Sequence, residues 1–463
     1  MTIDLSSFKA YDIRGIYPDQ INAEFMYKLG RAFVTQFQPG QVVIGYDSRL
    51  SSEELADALA RGLQDSGTNV IDLGLCGSEM VYYATGKYQT DGGIMITASH
   101  NPKEYNGCKM VTTGARPVGA ESGLNDIKHL MAGDGLYQHL DQDENGDAGK
   151  KYRGSYEKRN INAEFADWLI SRLTQKIRPD LNVLVNTGNG AGGPLVSTLT
   201  SRLPCTIHPL FETPDGNFPN GVPNPLLPER REDTAEAVIR TGADLGVAFD
   251  GDFDRCFFFD ENGRFIEGYY IVGLLARQML EKYPGSRIVY DPRLTWHTIE
   301  AVRKSGGIPV LSRTGHAYIK DKMRREDAVY GGEMSAHHYF RDFWYCDSGM
   351  MPFLLLLEML SNTDKTMSEL VNEAFERYPV SGELNYKVQG DPGILLQKIA
   401  DHYKEEGGKI SYPDGLSVEF DNWRFSLRVS NTEPLLRLNV ESRGDRMLME
   451  KKRDELIARI RHQ

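Results

Sequence analysis

The sequence predicts a run of mixed α/β domains closed by a smaller α+β domain. Three segments repeat one pattern: an apolar strand ending in Asp or Asn, a turn, an amphipathic helix, then a second strand. Within each segment about 20 residues separate the end of the first strand from the start of the second, as a helical crossover between parallel strands requires. After Tyr378-Pro-Val-Ser-Gly382 the pattern changes to strands paired through hairpins and flanked by helices.

The first repeat runs Gln41-Val-Val-Ile-Gly-Tyr-Asp47, a helix from Ser51 to Gln64 capped by Ser51 or Ser52, then Asn69-Val-Ile-Asp-Leu73. The second runs Asn182-Val-Leu-Val-Asn186, a glycine-rich turn, a short helix from Pro194 and Thr206-Ile-His-Pro-Leu210. The third runs Arg287-Ile-Val-Tyr-Asp291, a helix from Thr295 and Ile308-Pro-Val-Leu311. The closing domain reads as strand Glu383 to Val388, helix Pro392 to Glu406, a hairpin around Pro413-Asp-Gly415, strands Phe425 to Val429 and Leu435 to Glu441, and a helix from Asp445. The acidic stretch Asp141 to Asp147 marks the first boundary, and a hairpin from Phe257 to Ile266 around Glu261-Asn-Gly263 lies near the second. The expected domains are 1–152, 153–264, 265–378 and 379–463.

Lys and Arg number 53 against 65 Asp and Glu, a net charge of −12, which excludes bulk attraction to nucleic acid or an anionic membrane. Any anionic ligand therefore needs a local basic pocket. The five cysteines are scattered and form no CxxC, so neither a disulfide framework nor a zinc site is indicated. The N-terminus lacks a basic start and apolar stretch, and the greasiest segment, Met350 to Leu360, is shorter than the roughly 20 residues a membrane span takes. It reads as a buried helix, and the cytosol is the expected compartment.

Five short segments carry chemistry. Thr97-Ala-Ser-His-Asn-Pro102 follows the apolar strand Gly93 to Thr97 and places a hydroxyl at a strand end beside a histidine, as a nucleophile or phosphoacceptor requires; read alone, it is equally an ordinary polar turn. Asp250-Gly-Asp-Phe-Asp-Arg255 follows the strand Leu245 to Phe249, and its three alternating carboxylates suit a hard cation such as Mg²⁺. Asp250, Asp252, Asp254 and Glu261 mimic EF-hand positions, but Arg255 replaces the required glycine and both flanks read as strands. The stretch from Asp141 mimics half a calcium loop, with Tyr152 where the bidentate Glu belongs, and reads as a solvated linker.

Gly188-Asn-Gly190-Ala-Gly-Gly193 satisfies GxGxxG with Glu212 downstream, so a dinucleotide-binding oxidoreductase is an alternative; the same glycines also serve a tight strand-to-helix turn. In Gly332-Glu-Met-Ser-Ala-His337 the alternation of Glu333, Ser335 and His337 projects them to one side of an extended chain, ahead of an aromatic hairpin, His338 to Tyr345. There they can read sugar hydroxyls or form a polar edge loop. Arg428-Val-Ser-Asn-Thr432, followed by Arg437, makes a phosphate cradle or a plain strand turn.

In this order, one or more per domain, these loops resemble the α-D-phosphohexomutase superfamily over essentially the whole chain. Lys9-Ala-Tyr-Asp-Ile-Arg-Gly15, Tyr105-Asn-Gly-Cys-Lys109 and Thr314-Gly-His316 extend the match. The resemblance implies four domains around a central cleft, the last like a TATA-box-binding-protein module. It implies that Ser99 is carried as phosphoserine and that Asp250, Asp252 and Asp254 hold Mg²⁺, with a Ser99 phosphoryl oxygen completing the site. Arg14, His100, Lys109, Arg255 and His316 match groups around the transferring phosphoryl or the sugar, with Lys109, His100 and His316 as candidate bases. Tyr11, Arg293, Glu333, Ser335 and His337 match substrate contacts; Arg428, Ser430, Asn431, Thr432 and Arg437 match the clamp for the phosphate that is not transferred. Phe253 stands where many members carry glycine, a change expected to matter little, and Arg293 where close relatives carry Lys. His337 with Met334 points to the mannose-using branch.

The implied activity is interconversion of mannose 6-phosphate and mannose 1-phosphate through a hexose 1,6-bisphosphate, which also serves as activator, supplying GDP-mannose for bacterial polysaccharide. The implied partner is a small phosphosugar, with no nucleic acid and no membrane, acting on a monomer or weak homodimer. A phosphoglucomutase or dual-specificity hexomutase is the near alternative, and a phosphosugar-binding protein without turnover a remote one.

Overall fold

The computed structural model describes residues 4–133, 153–387, 391–429 and 435–461, so the acidic stretch from Asp141 lies outside the described residues. The chain folds as two compact units, Met1–Arg264 with Asp342–Asn362, and Phe265–Arg341 with Thr363–Gln463.

The three repeats share one topology. In the first, Gln41–Tyr46 lies parallel between Asn69–Leu75 and Gly92–Ile96, and Tyr105–Thr112 returns antiparallel beside Gly92–Ile96. In the second, Asn182–Asn186 lies between Thr206–Leu210 and Leu245–Phe249, with Cys256–Phe259 returning antiparallel. In the third, Arg287–Tyr290 lies between Ile308–Leu311 and Tyr330–Gly332, with His338–Phe340 returning. Each repeat therefore has a third parallel strand and a tight return, and the returns are the serine loop, the aspartate loop and the Glu333 loop. All three leave the carboxyl ends of parallel strands, the edge at which open α/β sheets bind ligands.

The first strand of each repeat ends in a side chain that fixes the next turn. Asp47 accepts from the Arg49 amide at 3.1 Å, Asn186 from the Gly188 amide at 2.8 Å and Asp291 from the Arg293 amide at 2.8 Å. These Asx turns explain why the strands end in Asp or Asn. The helix of the first repeat, Ser52–Asp65, has no side-chain cap at Ser51, whose Oγ accepts from Asn106 Nδ2 at 2.8 Å, while Ser52 donates from Oγ to Asp47 at 2.6 Å. A helix absent from the sequence reading, Ala23–Phe37, is capped by Asn22, which accepts from the Phe25 amide at 3.0 Å.

Met350–Ser361 is a helix with both faces covered, Phe353, Leu356 and Leu357 being fully buried; among the described residues no helix is long and apolar enough to cross a membrane. The last domain is one antiparallel sheet in the order Leu384–Lys387, Leu435–Ser442, Trp423–Val429, Leu416–Glu419, Lys409–Ser411. Helices Pro392–Glu405 and Arg446–Arg461 bury Leu395, Ile399, Tyr403 and Leu456 against Phe425, Leu427 and Leu438. At roughly 1.5–3 kcal/mol for each large apolar side chain buried, this face holds the sheet against its helices.

Candidate active site

In the first unit the serine loop and the aspartate loop meet. Ser99 donates from Oγ to Asp250 Oδ2 at 2.8 Å, and His100 Nδ1 lies 3.1 Å from the same hydroxyl. Arg255 donates from Nε to Asp250 Oδ2 at 2.8 Å, and its Nη2 lies 3.4 Å from Ser99 Oγ. Arg255 also donates to His100 Nδ1, which makes that nitrogen an acceptor and places the ring proton on Nε2. Ser99 thus has two acceptors within reach, Asp250 and His100. Its φ of 51° is left-handed, a conformation that costs about 1–2 kcal/mol in an L residue and must be held by neighbours.

The holder is Arg49, which the sequence reading passed over. Its guanidinium donates to the carbonyls of Ser99 at 2.9 Å, Asn101 at 2.7 Å, Pro102 at 2.7 Å and Tyr105 at 3.0 Å. Asp47 pairs with Arg49 Nε at 3.2 Å, with both side chains buried. The only sequence sign was the Asp-x-Arg spacing, which recurs at Asp291 and Arg293. On the other side Gly251 passes so close that a Cβ there would stand 2.6 Å from the Ser99 carbonyl oxygen.

Oxygens of Asp250, Asp252 and Asp254 lie within 4.8 Å of one another. Lys109 Nζ sits 2.6 Å from Asp252 Oδ2 and also bonds Asp254; Ser78, likewise unanticipated, donates to Asp252 at 2.5 Å. Burial alone would lower the Lys109 pKa, but Asp252, Asp254, Asp347 and Asp250 outweigh it and hold the ammonium protonated. Burial opposes the Asp252 charge, and Lys109 and Ser78 overcome it, so this carboxyl falls below its ordinary range. Burial and repulsion by Asp252 push Asp254 up, to about 7. A buried Asp252 oxygen, Oδ1, has no hydrogen-bond partner among the described residues, which marks the group as a donor awaiting a cation. Three carboxylates with one oxygen unspent fit a hard divalent metal, and the strand at Cys256–Phe259 confirms that this is no EF-hand.

Arg14 approaches the serine loop from strand Ile13–Ile16, donating to Asn101 Oδ1 at 2.6 Å and pairing with Asp12 at 2.8 Å. Burial would lower its pKa, but Asp12 together with Asp252 and Asp254 outweighs burial and raises it. Tyr11, half-buried, precedes that strand.

The expectation for Phe253 needs correction. Its φ is 44°, in the region glycine favours, and the ring is fully buried; a Cβ on Gly77 would stand 2.2 Å from it and one on Gly192 3.5 Å. Phenylalanine here trades backbone strain for packing and is not a neutral replacement. The GxGxxG glycines also serve packing: a Cβ on Gly190 would stand 2.8 Å from the Gly251 carbonyl and one on Gly193 1.8 Å from that of Glu212, while the Ala191 amide donates to Gly251 O at 2.9 Å. The turn supports the aspartate loop.

In the second unit, Glu333 to His337 is a tight turn and not the extended chain that alternation implied. The Ala336 amide donates to Glu333 O at 3.0 Å, Ala336 has φ 69°, and the Glu333 amide donates to His337 O at 3.0 Å. The side chains converge because the chain reverses: His337 Nδ1 lies 3.2 Å from Glu333 and 3.4 Å from Ser335 Oγ. The aromatic stretch that follows holds strand His338–Phe340 and a single 3₁₀ turn, Arg341–Phe343. Arg293 Nη2 reaches Asp291 at 2.9 Å, Ser335 Oγ at 3.1 Å and Glu333 at 3.3 Å, and the Met334 amide donates to Asp291 at 2.9 Å. Burial opposes the Glu333 charge, but His337, Arg293 and Tyr339 hold its pKa below the ordinary range. The Gly315 amide donates to Glu333 Oε1 at 3.0 Å, which sets the start of helix His316–Glu326, and hence His316, next to this loop.

Arg428 and Arg437 face each other on adjacent strands, and both bond Glu383, at 3.3 and 3.2 Å. Ser430, Asn431 and Thr432 lie outside the described residues.

A hydroxyl on a braced strand-end loop, a carboxylate cluster beside it and a separate arginine cluster define a phosphoryl-handling α/β protein. Descriptions of the phosphoglucomutase/phosphomannomutase alpha/beta/alpha domains I, II and III match residues 5–136, 163–263 and 267–378, and that of the C-terminal domain matches 383–459. The chain is 50% identical over 458 residues to a phosphomannomutase of Escherichia coli K12, covering 98% of each, and 49% identical over 457 residues to a Xanthomonas campestris protein named phosphohexose mutases, covering 99% of each. A phosphoglucomutase/phosphomannomutase family protein of Burkholderia thailandensis superposes with TM-score 0.87 at 30% identity, over 99% of this chain and 98% of that one. This chain belongs to the phosphoglucomutase/phosphomannomutase family.

Proposed function

We propose that the chain is a phosphomannomutase, an isomerase that interconverts mannose 6-phosphate and mannose 1-phosphate through phosphoserine 99 and a hexose 1,6-bisphosphate. The observation that carries the reading is the meeting of Ser99 Oγ with Asp250 and Arg255 inside a carboxylate cluster, in a chain half identical to curated phosphomannomutases.

Phosphoserine 99 gives its phosphoryl to the free hydroxyl of the substrate: the Ser99 O–P bond breaks, the sugar O–P bond forms, and the hydroxyl proton leaves to a base. The bisphosphate turns around, its other phosphoryl returns to Ser99, and the released sugar oxygen takes up a proton. Arg255 and Arg14 supply positive charge to the oxygens of the loose transition state, the largest electrostatic need in phosphoryl transfer. Lys109, paired with Asp252 and Asp254, supplies a cation beside the serine loop and stays a candidate base with His100 and His316; Asp250 and His100 are placed to move the Ser99 proton. Mg²⁺ on Asp250, Asp252 and Asp254 would neutralise phosphoryl oxygens further.

Glu333, Ser335 and His337 read sugar hydroxyls, with Tyr11, Arg293 and His316 completing the contacts. Arg428, Arg437 and the loop of Ser430, Asn431 and Thr432 clamp the phosphate that stays put. The reading goes with domain limits near 152, 264 and 378, in a cytosolic monomer or weak homodimer feeding GDP-mannose synthesis. Use of glucose phosphates as well is favoured by the Xanthomonas relative named for hexose mutases.

The test is intact mass before and after hexose 1,6-bisphosphate, joined to assays with mannose and glucose 1-phosphates. One added phosphoryl on Ser99 and turnover of mannose 1-phosphate are expected. Turnover without a phosphorylated serine would overturn the mechanism; phosphorylation with turnover of glucose phosphates alone would overturn the substrate.

A further inference from the structure

Glu383 stands directly before strand Leu384–Lys387 and places one carboxylate among three guanidiniums. Its Oε1 pairs with Arg437 Nη1 at 3.2 Å, and its Oε2 with Arg428 Nη2 at 3.3 Å and Arg293 Nη1 at 3.4 Å. Arg428 and Arg437 are directly opposite on neighbouring antiparallel strands, a like-charge placement that disfavours the sheet unless an anion sits between. All three pairs are longer than the 2.7–2.9 Å typical of charge-assisted bonds, since one carboxylate is divided among three donors. Arg428 Nε is buried with no hydrogen-bond partner among the described residues. Burial opposes the Glu383 charge, and Arg293, Arg437 and Arg428 outweigh it, holding its carboxyl below the ordinary range. Burial and the charges of Arg293 and Arg437 work against the Arg428 cation. Arg293 is also paired with Asp291 and Glu333, whereas Arg428 and Arg437 share the one Glu383 carboxylate, an anion that a phosphate must displace or share.

We propose that Glu383 is a positioning residue of the phosphate clamp: it aligns Arg428 and Arg437 between turnovers and competes with the bound phosphate during them. The inference rests on the mutase reading above, in which the bisphosphate must leave the clamp and turn around once per cycle. Arg428 and Arg437 without the carboxylate they share would hold a phosphate dianion too long. A carboxylate in their midst weakens the grip, because each step of phosphate withdrawal is matched by guanidiniums returning to Glu383. Interactions equally strong before and during transfer give no rate advantage, so weakening them costs affinity and not chemistry.

The experiment measures binding and turnover separately. In a Ser99→Ala background, which removes phosphoryl transfer, inorganic phosphate and mannose 6-phosphate are titrated calorimetrically against the full chain carrying Glu383, Glu383→Gln or Glu383→Asp. Glu383→Gln keeps size and loses charge, and is expected to bind both ligands about tenfold more tightly. Glu383→Asp keeps the charge and is expected to stay within about threefold of the parent. With Ser99 restored, Glu383→Gln is expected to show lower KM, lower kcat and bisphosphate accumulating in solution-quenched samples. Unchanged or weaker phosphate binding by Glu383→Gln overturns the proposal, as does equal tightening by Glu383→Asp. Arg428→Ala separates the two levels: if it binds phosphate as well as the parent, the clamp reading itself fails, whereas lost binding in Arg428→Ala with no tightening in Glu383→Gln removes only the role of Glu383.

Discussion

Arg49 donates to the carbonyl oxygen of Ser99 at 2.9 Å from a side chain with no exposed surface. The same guanidinium also satisfies carbonyls of Asn101, Pro102 and Tyr105, so the loop that carries the hydroxyl is moulded on one cation. Since Ser99 holds a left-handed backbone, the position of its Oγ depends on this support as much as on its own contacts.

Arg49→Lys retains the charge and cannot span four carbonyls. We expect kcat to fall about 10- to 100-fold with KM within about threefold, because a misplaced nucleophile weakens transfer without touching the sugar. Single-turnover phosphorylation of Ser99 by a hexose bisphosphate should slow in parallel. A variant that merely loses stability, with normal phosphorylation at low temperature, would show that Arg49 serves folding alone.

Lys109 does for the aspartate loop what a cation must. Replacing it with Met leaves the buried Asp252 and Asp254 without their cation while Asp250 keeps Arg255, at a cost of about 3–5 kcal/mol for an uncompensated buried charge. The expected result is a lower Tm in chelator and a larger Tm gain on adding Mg²⁺ than in the unaltered protein. Equal Mg²⁺ shifts in both proteins would separate the metal from this cluster.

The repeats and the closing α+β domain were legible because periodicity and strand-end Asp or Asn record backbone demands locally. The three loops stood out for a similar reason, each being a short polar break after an apolar strand. What escaped was reach. Arg49 acts on residues 50 to 56 positions away, and Glu383 on arginines 45, 54 and 90 away, so neither carries a local signature. The Glu333 turn was misread because alternation describes only an extended chain, and a positive φ at Ala336 is not written in its residue type.

Phe253 makes the exchange of strain for packing measurable. Phe253→Ala should cost about 3–5 kcal/mol through the space left between Gly77 and Gly192. Phe253→Gly should match or exceed Phe253→Ala in stability by about 1 kcal/mol, the reverse of the usual order, because φ 44° suits glycine. Thermal melts of the two variants decide it: an Ala variant clearly above Gly would mean that no strain is stored there.

Arg428→Ala should raise KM roughly 10- to 150-fold, from about 1.5–3 kcal/mol for a hydrogen bond to a charged group, while Ser99 is still phosphorylated by saturating bisphosphate. Initial rates and intact mass check the two halves. Normal KM with a serine that can no longer be phosphorylated would move Arg428 to the reacting centre.

His297 ties stability to pH. Its ring is buried among Tyr269, Tyr270 and Tyr378, with Nε2 lacking a hydrogen-bond partner among the described residues. Burial, with help from Arg277, pulls its pKa from 6.5 down to about 4. Between those values the unfolded chain binds the proton and the folded one does not, so stability rises with pH across that window. The contribution is complete above pH 6.5 and is lost as pH falls toward 4, amounting to roughly 3 kcal/mol at about 1.36 kcal/mol per pH decade. His297→Phe fills the same aromatic space and has no proton to bind. Its Tm should therefore gain on that of the unaltered protein as pH is lowered from 7.5 to 5, and a difference that stays constant over that range would show that His297 is not the group responsible.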